Sequence, residues 1–401
     1  MRILFLNHNL AWRGSFFRCL GFARELVRLG HHVDLWTVSP RYSPRGKREN
    51  LDGVNVWQTP RWSAPGNHDG GYALVDNLVR LVRAGSARWD LVHAFEHRPN
   101  VLLPWLGLRL LHRLSLGPSP MLFFSDWSDW WAGGGITTSR RRFAALDRME
   151  RWVEERSKLG SDGVTVISTT LYQRAVELGI EPERLALIPA GVPIESFPRH
   201  DRLYCRKMLQ LPLERPLLGF AGFSLWDMGL LAEVLTRVKN EVPDCGLLVV
   251  GGGVEEKAKA IFHERCVMGQ DVFLPGVVPF AEIPLYLGAC DVNVLPMEDR
   301  LANRARLPNK LMDYYAAGRA VVASDVGDAG AYVREHQTGI AAPGGAEAFS
   351  QACVALLRDA PRREAMGNRA RELAETRFSY HQLCRDWLSF YHRRMEARRE
   401  M

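Results

Sequence analysis

Apolar and polar positions along this chain follow two periods, and the pattern runs twice from start to finish. Residues 2–6 (RILFL) read as a strand: after Arg2 comes a short unbroken apolar run, the form taken by strands buried on both faces of a parallel sheet. A polar loop follows, and apolar positions then recur at helical spacing over 16–29. Gly30 closes that helix, and a second strand is predicted at 32–38. Strand, helix and strand in this order predict a βαβ unit, the usual start of a doubly wound sheet. Further runs at 90–94, 121–124, 164–167 and 185–188 predict more parallel strands. A Pro- and Arg-rich connection spans 189–216, and a second series begins beyond it. Strands are predicted at 217–221, 246–250, 272–274, 291–295 and 320–323, and helices at 229–241, 281–287 and 310–317. The segment 362–396 reads as largely helical and Arg-rich. The prediction is two Rossmann-like α/β domains, 1–195 and 215–375, with a closing segment 376–401. Ligands are expected at the carboxyl ends of the strands, in a cleft between the domains.

Length agrees with this division: 401 residues are too many for one hydrophobic core and enough for two. The opening MRILFLNHNL lacks the form of a signal peptide. The most apolar stretch, 101–116, is interrupted by Arg109, His112 and Arg113, so it fails as a membrane span. With Trp105, Arg109 and Arg113 it fits either an amphipathic helix resting on anionic lipid or a core helix of the first domain. Seven dispersed cysteines with no CxxC pair suit a reducing cytosol. A net charge of +7, carried by Arg with only seven Lys among the 52 basic residues, suits an anionic ligand or an anionic membrane. No nucleic-acid motif accompanies it, and no nucleic-acid partner is expected.

The richest stretch for chemistry is 295–324, LPMEDRLANRARLPNKLMDYYAAGRAVVAS. A strand ends in it, a basic loop follows, and a helix starts near Pro308 and stops at Gly318. The start of that helix offers unpaired N–H groups and a positive dipole end, flanked by Arg304, Arg306 and Lys310. That is a site suited to a diphosphate. Asp313, about one turn further, is placed to accept hydrogen bonds from a ribose diol. The same residues also fit an ordinary surface loop with solvated charges.

The run P-x-K-L-x-D-Y-x-A-x-G-x-x-V-V-A-S over 308–324 resembles the donor-binding segment of the retaining GT-B glycosyltransferases of family 4. IPAGVPIESF (188–197) resembles that family's interdomain signature, with Ala190 where Asn is common. VFLPGVVPFAEIPLYLGACDVNVLP resembles the stretch before the donor loop, and FSYHQLCRDWLSFY the closing helix that crosses back to the N-terminal lobe. The resemblance implies two Rossmann-like lobes facing across a cleft, with the nucleotide ribose on Asp313. It implies donor contacts from Gly14, Gly222, Arg304, Arg306, Leu307, Lys310, Leu311 and Asp313. Three departures stand out: the family's first Glu falls on Ala305, its Gly-Arg pair reads Gly222-Phe223, and its Lys-Gly reads Met228-Gly229. Arg304, Arg306 or Lys310 is expected to replace the missing cations.

In the first domain, Trp12-Arg13-Gly14-Ser15 matches a family loop that passes close to donor and acceptor. Arg18, one turn on, could face the cleft or solvent. The segment FFSDWSDWW (123–131) follows a predicted strand, so Asp126 is expected to emerge at the cleft. The family has a His there that contacts the transferred sugar. Asp126 and Asp129 can share one side of a turn, beside Trp127, Trp130 and Trp131, whose faces suit sugar rings. Asp126, Asp129 and His97 are the expected catalytic residues, with Arg98 and His8 lining the cleft. His93 and His97 stand four apart, but no D-x-D motif accompanies them and the family is metal-independent, so neither metal nor cofactor is expected. The resemblance implies a hexosyltransferase that moves a sugar from a nucleoside diphosphate-sugar to an acceptor hydroxyl with retention. The acceptor would be a glycan, a lipid-linked carrier or a small molecule. A non-hydrolysing sugar-nucleotide epimerase and a weakened sugar-nucleotide-binding protein are the alternatives. The expected location is cytoplasmic, with peripheral contact at the inner face of an anionic membrane.

Overall fold

The structure is a computed structural model that describes residues 1–62, 71–116, 122–137, 143–222, 228–251, 260–262, 266 and 268–400. The chain divides into two compact units: Met1–Pro189 with Tyr380–Met401, and Ala190–Ser379.

The first unit is built on a sheet of eight strands: β1 (Arg2–Leu10), β2 (His32–Val38), β3 (Lys47–Leu51), β4 (Val54–Thr59), β5 (Leu91–Phe95), β6 (Leu122–Trp127), β7 (Gly163–Val166) and β8 (Leu185–Leu187). Their order across the sheet is β3-β4-β2-β1-β5-β6-β7-β8. All neighbours are parallel except β3 and β4, which form an antiparallel hairpin. The unbroken apolar run at 3–6 has a plain cause. Side chains alternate across a strand, so Ile3 and Phe5 enter one core and Leu4 and Leu6 another. Helix Ser15–Arg28 and the final helix Tyr380–Arg399 cover the first face; Leu20, Phe22, Trp387 and Tyr391 lie in that core. Gly21 permits their close approach, since any Cβ there would lie 2.3 Å from the Tyr380 ring. Burial of Trp387, Phe390 and Tyr391 against the sheet ties the last helix to this unit.

Helices Leu74–Gly85 and Pro99–Arg113 cover the other face. The helix expected within 101–116 has one side in the core of this unit. Val101, Leu102, Trp105 and Leu108 are buried, whereas Leu103, Leu106, Leu110 and Leu114 form an exposed stripe at three- and four-residue spacing. No helix among the described residues is long and apolar enough to cross a membrane.

The second unit carries β9 (Leu217–Ala221), β10 (Gly246–Val250), β11 (Val272–Gly276), β12 (Val292–Leu295), β13 (Ala320–Ser324) and β14 (Gly339–Ala342). The order is β11-β10-β9-β12-β13-β14, and every neighbouring pair is parallel. The expected strands at 32–38, 217–221 and 246–250 have the predicted bounds. The helical segment expected over 362–396 is two helices, Ala360–Thr376 and Tyr380–Arg399, one in each unit. Strands β3 and β4 were not anticipated, although their signal was present. Asp52-Gly53, both at positive φ, make the two-residue turn that hairpins favour. Met121, in the expected strand at 121–124, and Phe223 lie outside the described residues.

Candidate functional site

Each sheet has one place where the chain reverses the direction in which it adds strands, and there the loops leaving adjacent strands part. In the second unit that place lies between β9 and β12. These strands pair only at Val292–Leu218 and Asn293–Gly219, and beyond that they diverge. Tyr314 fills the opening. Its hydroxyl accepts from Ala221 N–H at 3.0 Å and donates to the Val294 carbonyl at 3.2 Å. A buried side chain thus supplies the backbone partners lost where the strands part.

The loop after β12 leads to helix Asn309–Ala316. Pro308 is its N-cap and offers no side-chain cap; Leu311 N–H donates to the Pro308 carbonyl at 3.0 Å, and the positive end of the helix lies at this turn. Gly222 follows β9 at φ 152°, and a Cβ there would lie 2.5 Å from Lys310 Nζ. The structure therefore brings Gly222 and Lys310 together, with Nζ 4.0 Å from the Phe220 ring centre. Arg306 carries a buried Nε that no group among the described residues accepts from. Leu307 and Leu311 are buried beneath this surface and anchor it. Ala305, where the family has its first Glu, is buried too. Arg304 is held apart from the others: it is exposed and clamped at 2.5 and 2.7 Å by both oxygens of Asp299. Asp313 lies one turn after Lys310 and keeps part of its surface accessible. Desolvation by the surrounding protein pushes its carboxyl up to about 7, with Lys310 working in the opposite direction.

In the first unit the reversal falls between β1 and β5, so His8 near the end of β1 and residues 96–98 after β5 share one end of the sheet. Trp131 is the hub there. Its indole donates to Glu96 Oε2 at 2.7 Å, Arg98 lies 4.0 Å over its ring, and His8 and His97 meet it edge-on. Glu96, at φ 73°, also accepts from the N–H groups of Ser128 and Asp129. Burial raises its carboxyl, against the pull of Lys158. His97 is 3% exposed and stands between two carboxylates, 3.9 Å from Glu96 and 3.8 Å from Glu150. Neither ring nitrogen has a hydrogen-bond partner among the described residues. Burial keeps this ring below the usual histidine range, with Glu150 pulling it upward. A hydroxyl entering beside His97 would supply the hydrogen bond it lacks.

Asp126 and Asp129 are placed differently from each other. Strand β6 runs to Trp127, three residues beyond the expected end, because Phe95–Asp126 and Asp126–Thr165 pair on both sides. Asp126 is therefore inside the sheet and fully buried, which corrects the expectation that it emerges beyond the strand. Both its oxygens are engaged, by Arg18 at 3.0 and 3.1 Å, Thr165 at 2.6 Å and Ser128 at 2.7 Å. Burial alone would raise this carboxyl; the charge and hydrogen bonds of Arg18, with His93 and the Thr165 hydrogen bond adding to them, hold it below the usual range. Arg18 faces neither solvent nor an opening: it is buried and also donates to the carbonyls of Ile188 and Pro189. Asp129, partly exposed, sits in the turn that follows. Trp127 and Trp130 are taken up by the Arg174 guanidinium, 4.6 and 4.0 Å from their rings.

Gly14 starts helix Ser15–Arg28 at φ 50°. His93 is far from a ligand geometry with His97: its nitrogens meet the hydroxyls of Tyr391 at 2.6 Å and Thr165 at 3.3 Å. The sequence reading missed Glu96, Glu150, Glu154 and Lys158. The last three, four apart on helix Ala144–Leu159, had the spacing of one helix face. Charged residues at that spacing read as a solvated face, yet all three are buried.

Residues 215–359 match a family model described as glycosyl transferases group 1, and residues 14–191 match one described as glycosyl transferase 4-like domain. A D-inositol 3-phosphate glycosyltransferase of Stackebrandtia nassauensis is 27% identical over 254 residues, 59% of this chain and 55% of that protein. An uncharacterised glycosyltransferase of Methanocaldococcus jannaschii is 23% identical over 397 residues, 96% and 95% of the two chains. Among solved structures, sucrose-phosphate synthase from Thermosynechococcus elongatus superposes with a TM-score of 0.76 at 19% identity, covering 99% of each chain. Anabaena HepE in complex with UDP and glucose gives 0.68 at 17% identity, covering 98% of this chain and 99% of that one.

Proposed function

With one family model on each unit, the chain belongs to the family 4-like glycosyltransferases of GT-B fold, and from that premise we propose that it moves a sugar from a nucleoside diphosphate-sugar to an acceptor hydroxyl with retention of configuration. The observation that carries this reading is the opening between β9 and β12. Lys310 beside Gly222, Arg306 with a buried Nε unmatched among the described residues, a helix start without a side-chain cap and the partly buried Asp313 belong to the segment that opens there. Negative charge grows on the departing diphosphate as the sugar leaves, and fixed donors aimed at that charge lower the barrier. Lys310 and Arg306 supply the cations, while Asp313 accepts from the ribose hydroxyls. Arg304, occupied by Asp299, plays no direct part in this scheme. Cations in place of a carboxylate cluster suit a metal-independent reaction.

UDP is the first nucleotide to test, since the similarly folded HepE holds UDP and glucose. On the first unit, His97 with Glu96 and Glu150 orients the acceptor hydroxyl, and Asp129 is the carboxylate of its pair open to a sugar. Asp126 acts as a positioning residue through Arg18. An inositol phosphate is one acceptor candidate, from the D-inositol 3-phosphate relative; a glycan or lipid-linked carrier is the other class. The exposed stripe Leu103, Leu106, Leu110 and Leu114, with Arg109 and Arg113 on the same helix, supports peripheral contact with an anionic membrane. A location at the cytoplasmic face follows from this reading.

The test is titration of UDP-, GDP-, ADP- and dTDP-sugars into wild type and Lys310→Ala. One donor is expected to bind, with a loss of about ten- to a hundredfold in the variant, in line with removing a charge-assisted contact. If no sugar nucleotide binds, the reading fails. Product analysis without acceptor separates transfer from epimerisation, which would return an isomerised sugar nucleotide.

A further inference from the structure

A second polar recess opens at the opposite end of the second unit's sheet. It has a volume of about 460 Å³ and is lined by residues just before β12 and β13, including Cys290, Asp291 and Arg319, together with Arg199, Arg202 and Arg363. The donor-side residues Gly222 and Lys310 follow the far ends of β9 and β12.

Four arginines line this recess, Arg199, Arg202, Arg319 and Arg363, against three carboxylates, Asp201, Asp291 and the exposed Glu364. Asp291 is the buried carboxylate, and it is fully used. Its Oδ2 accepts from Arg206 at 2.7 Å and from Leu217 N–H at 2.8 Å, and its Oδ1 faces Arg202 at 3.1 Å and Arg363 at 3.5 Å. Asp201 accepts from Tyr204 N–H at the start of helix Arg202–Met208. Arg319 has no carboxylate partner among the described residues. Its Nε and Nη2 donate to the neutral carbonyls of Gly288 and His200, and among the described residues no group accepts from Nη1. Arg199 likewise, among the described residues, donates only to the amide oxygen of Asn368, at 2.6 Å. Burial lowers the pKa of the Arg319 guanidinium, and the neighbouring Arg199 charge adds to that. Asp291 and Asp201 act on Arg319 only at a distance, so two guanidiniums that touch no carboxylate among the described residues line a recess of ligand size and suit an added anion.

We propose that this recess binds a small phosphate-bearing anion, at a site separate from the one that holds the sugar nucleotide. Arg199 and Arg319 supply planar N–H forks to the phosphate oxygens, and Arg202 and Arg363 add charge from the sides. Bound there, a phosphate joins the 199–202 segment to the start of β13 and to helix Ala360–Thr376, so occupancy stabilises the second unit.

The experiment is calorimetric titration and thermal denaturation of the full chain with inorganic phosphate, against sodium chloride at matched ionic strength. Wild type is expected to bind phosphate and to melt at higher temperature than in chloride. Arg199→Ala and Arg202→Ala, both at partly open positions, are each expected to weaken phosphate at least tenfold while changing sugar-nucleotide affinity less than twofold. Lys310→Ala is expected to leave phosphate affinity unchanged. A wild type that responds equally to phosphate and chloride overturns the proposal. So does phosphate binding that survives both Arg variants. Loss of phosphate binding in Lys310→Ala would assign the phosphate to the donor site and equally overturn it.

Discussion

Donor affinity should depend on pH through one carboxylate. The Asp313 carboxyl is pushed up to about 7 by desolvation in the free protein. Ribose hydroxyls are donors, so only the ionised form can accept from both. When a group must be ionised in the complex, the apparent Kd rises by one plus the ratio of protonated to ionised protein in the free state. With a pKa of about 7 that factor is about 11 at pH 6 and about 1.1 at pH 8. Affinity for a sugar nucleotide should thus tighten about tenfold, or ~1.4 kcal/mol, between these values and then level off. A sugar nucleotide is the right ligand because its diphosphate diester has no proton to lose in this window. Calorimetry in two buffers of different ionisation enthalpy should count close to one proton released per donor at pH 6 and almost none at pH 8.5.

Asp313→Asn should bind more weakly and show no slope. The same linkage bears on stability. A carboxyl whose folded pKa lies above its unfolded value of 3.8 favours folding in its protonated form. That contribution is present at pH 4 and is lost as pH rises toward 7. Asp313→Asn should therefore raise the melting temperature at pH 8 and leave it nearly unchanged at pH 4. After allowance for the accessible part of the side chain, the gain should be on the order of 1–2 kcal/mol. Wild-type affinity that is flat from pH 6 to 8, or a slope that persists in Asp313→Asn, refutes the assignment.

Three further outcomes are expected. Tyr314→Phe leaves Ala221 N–H and the Val294 carbonyl without their buried partner, and should cost about 1–3 kcal/mol in urea denaturation. Unchanged stability would mean that water takes the place of the hydroxyl. Arg18→Met strands the buried Asp126 carboxylate and should cost about 3–5 kcal/mol, whereas Arg18→Met with Asp126→Asn should recover part of that loss. A double variant no more stable than the single one would show that Arg18 matters for its carbonyl contacts instead. Leu106→Glu with Leu110→Glu should abolish co-sedimentation with vesicles rich in anionic lipid and leave the fold intact by circular dichroism, because both side chains are exposed. Equal sedimentation of wild type and variant would remove the membrane contact from the proposed function.

How far the sequence could be read depended on whether the cause of each feature was local. Strands β1, β9 and β10 were legible because burial on both faces of a parallel sheet demands an unbroken apolar run, and such a run is visible in one dimension. The helix after Pro308 was legible from its terminators, and Lys310 and Asp313 came with it, since spacing along a helix sets which residues neighbour one another. The hairpin of β3 and β4 was missed although Asp52-Gly53 announced it.

Residue order alone thus determined the two doubly wound units, the final helix and the identity of the loop after β12. What it could not determine was the electrostatic state of each charged side chain, because that depends on partners distant in the chain. Arg18 and Asp126 are 108 residues apart, yet they form one buried ion pair. Arg304 and Lys310 looked alike as loop cations, but Arg304 is neutralised by Asp299 while Lys310 lies against Gly222. The stripe of Glu150, Glu154 and Lys158 that reads as a solvated face is enclosed beneath Trp127 and Trp131, in contact with Ser125, Arg174 and Arg98. Local pattern specifies where the chain turns and which face it buries. Only tertiary packing decides which charges are desolvated and which oppose each other, and that balance settles which residues remain available to a ligand.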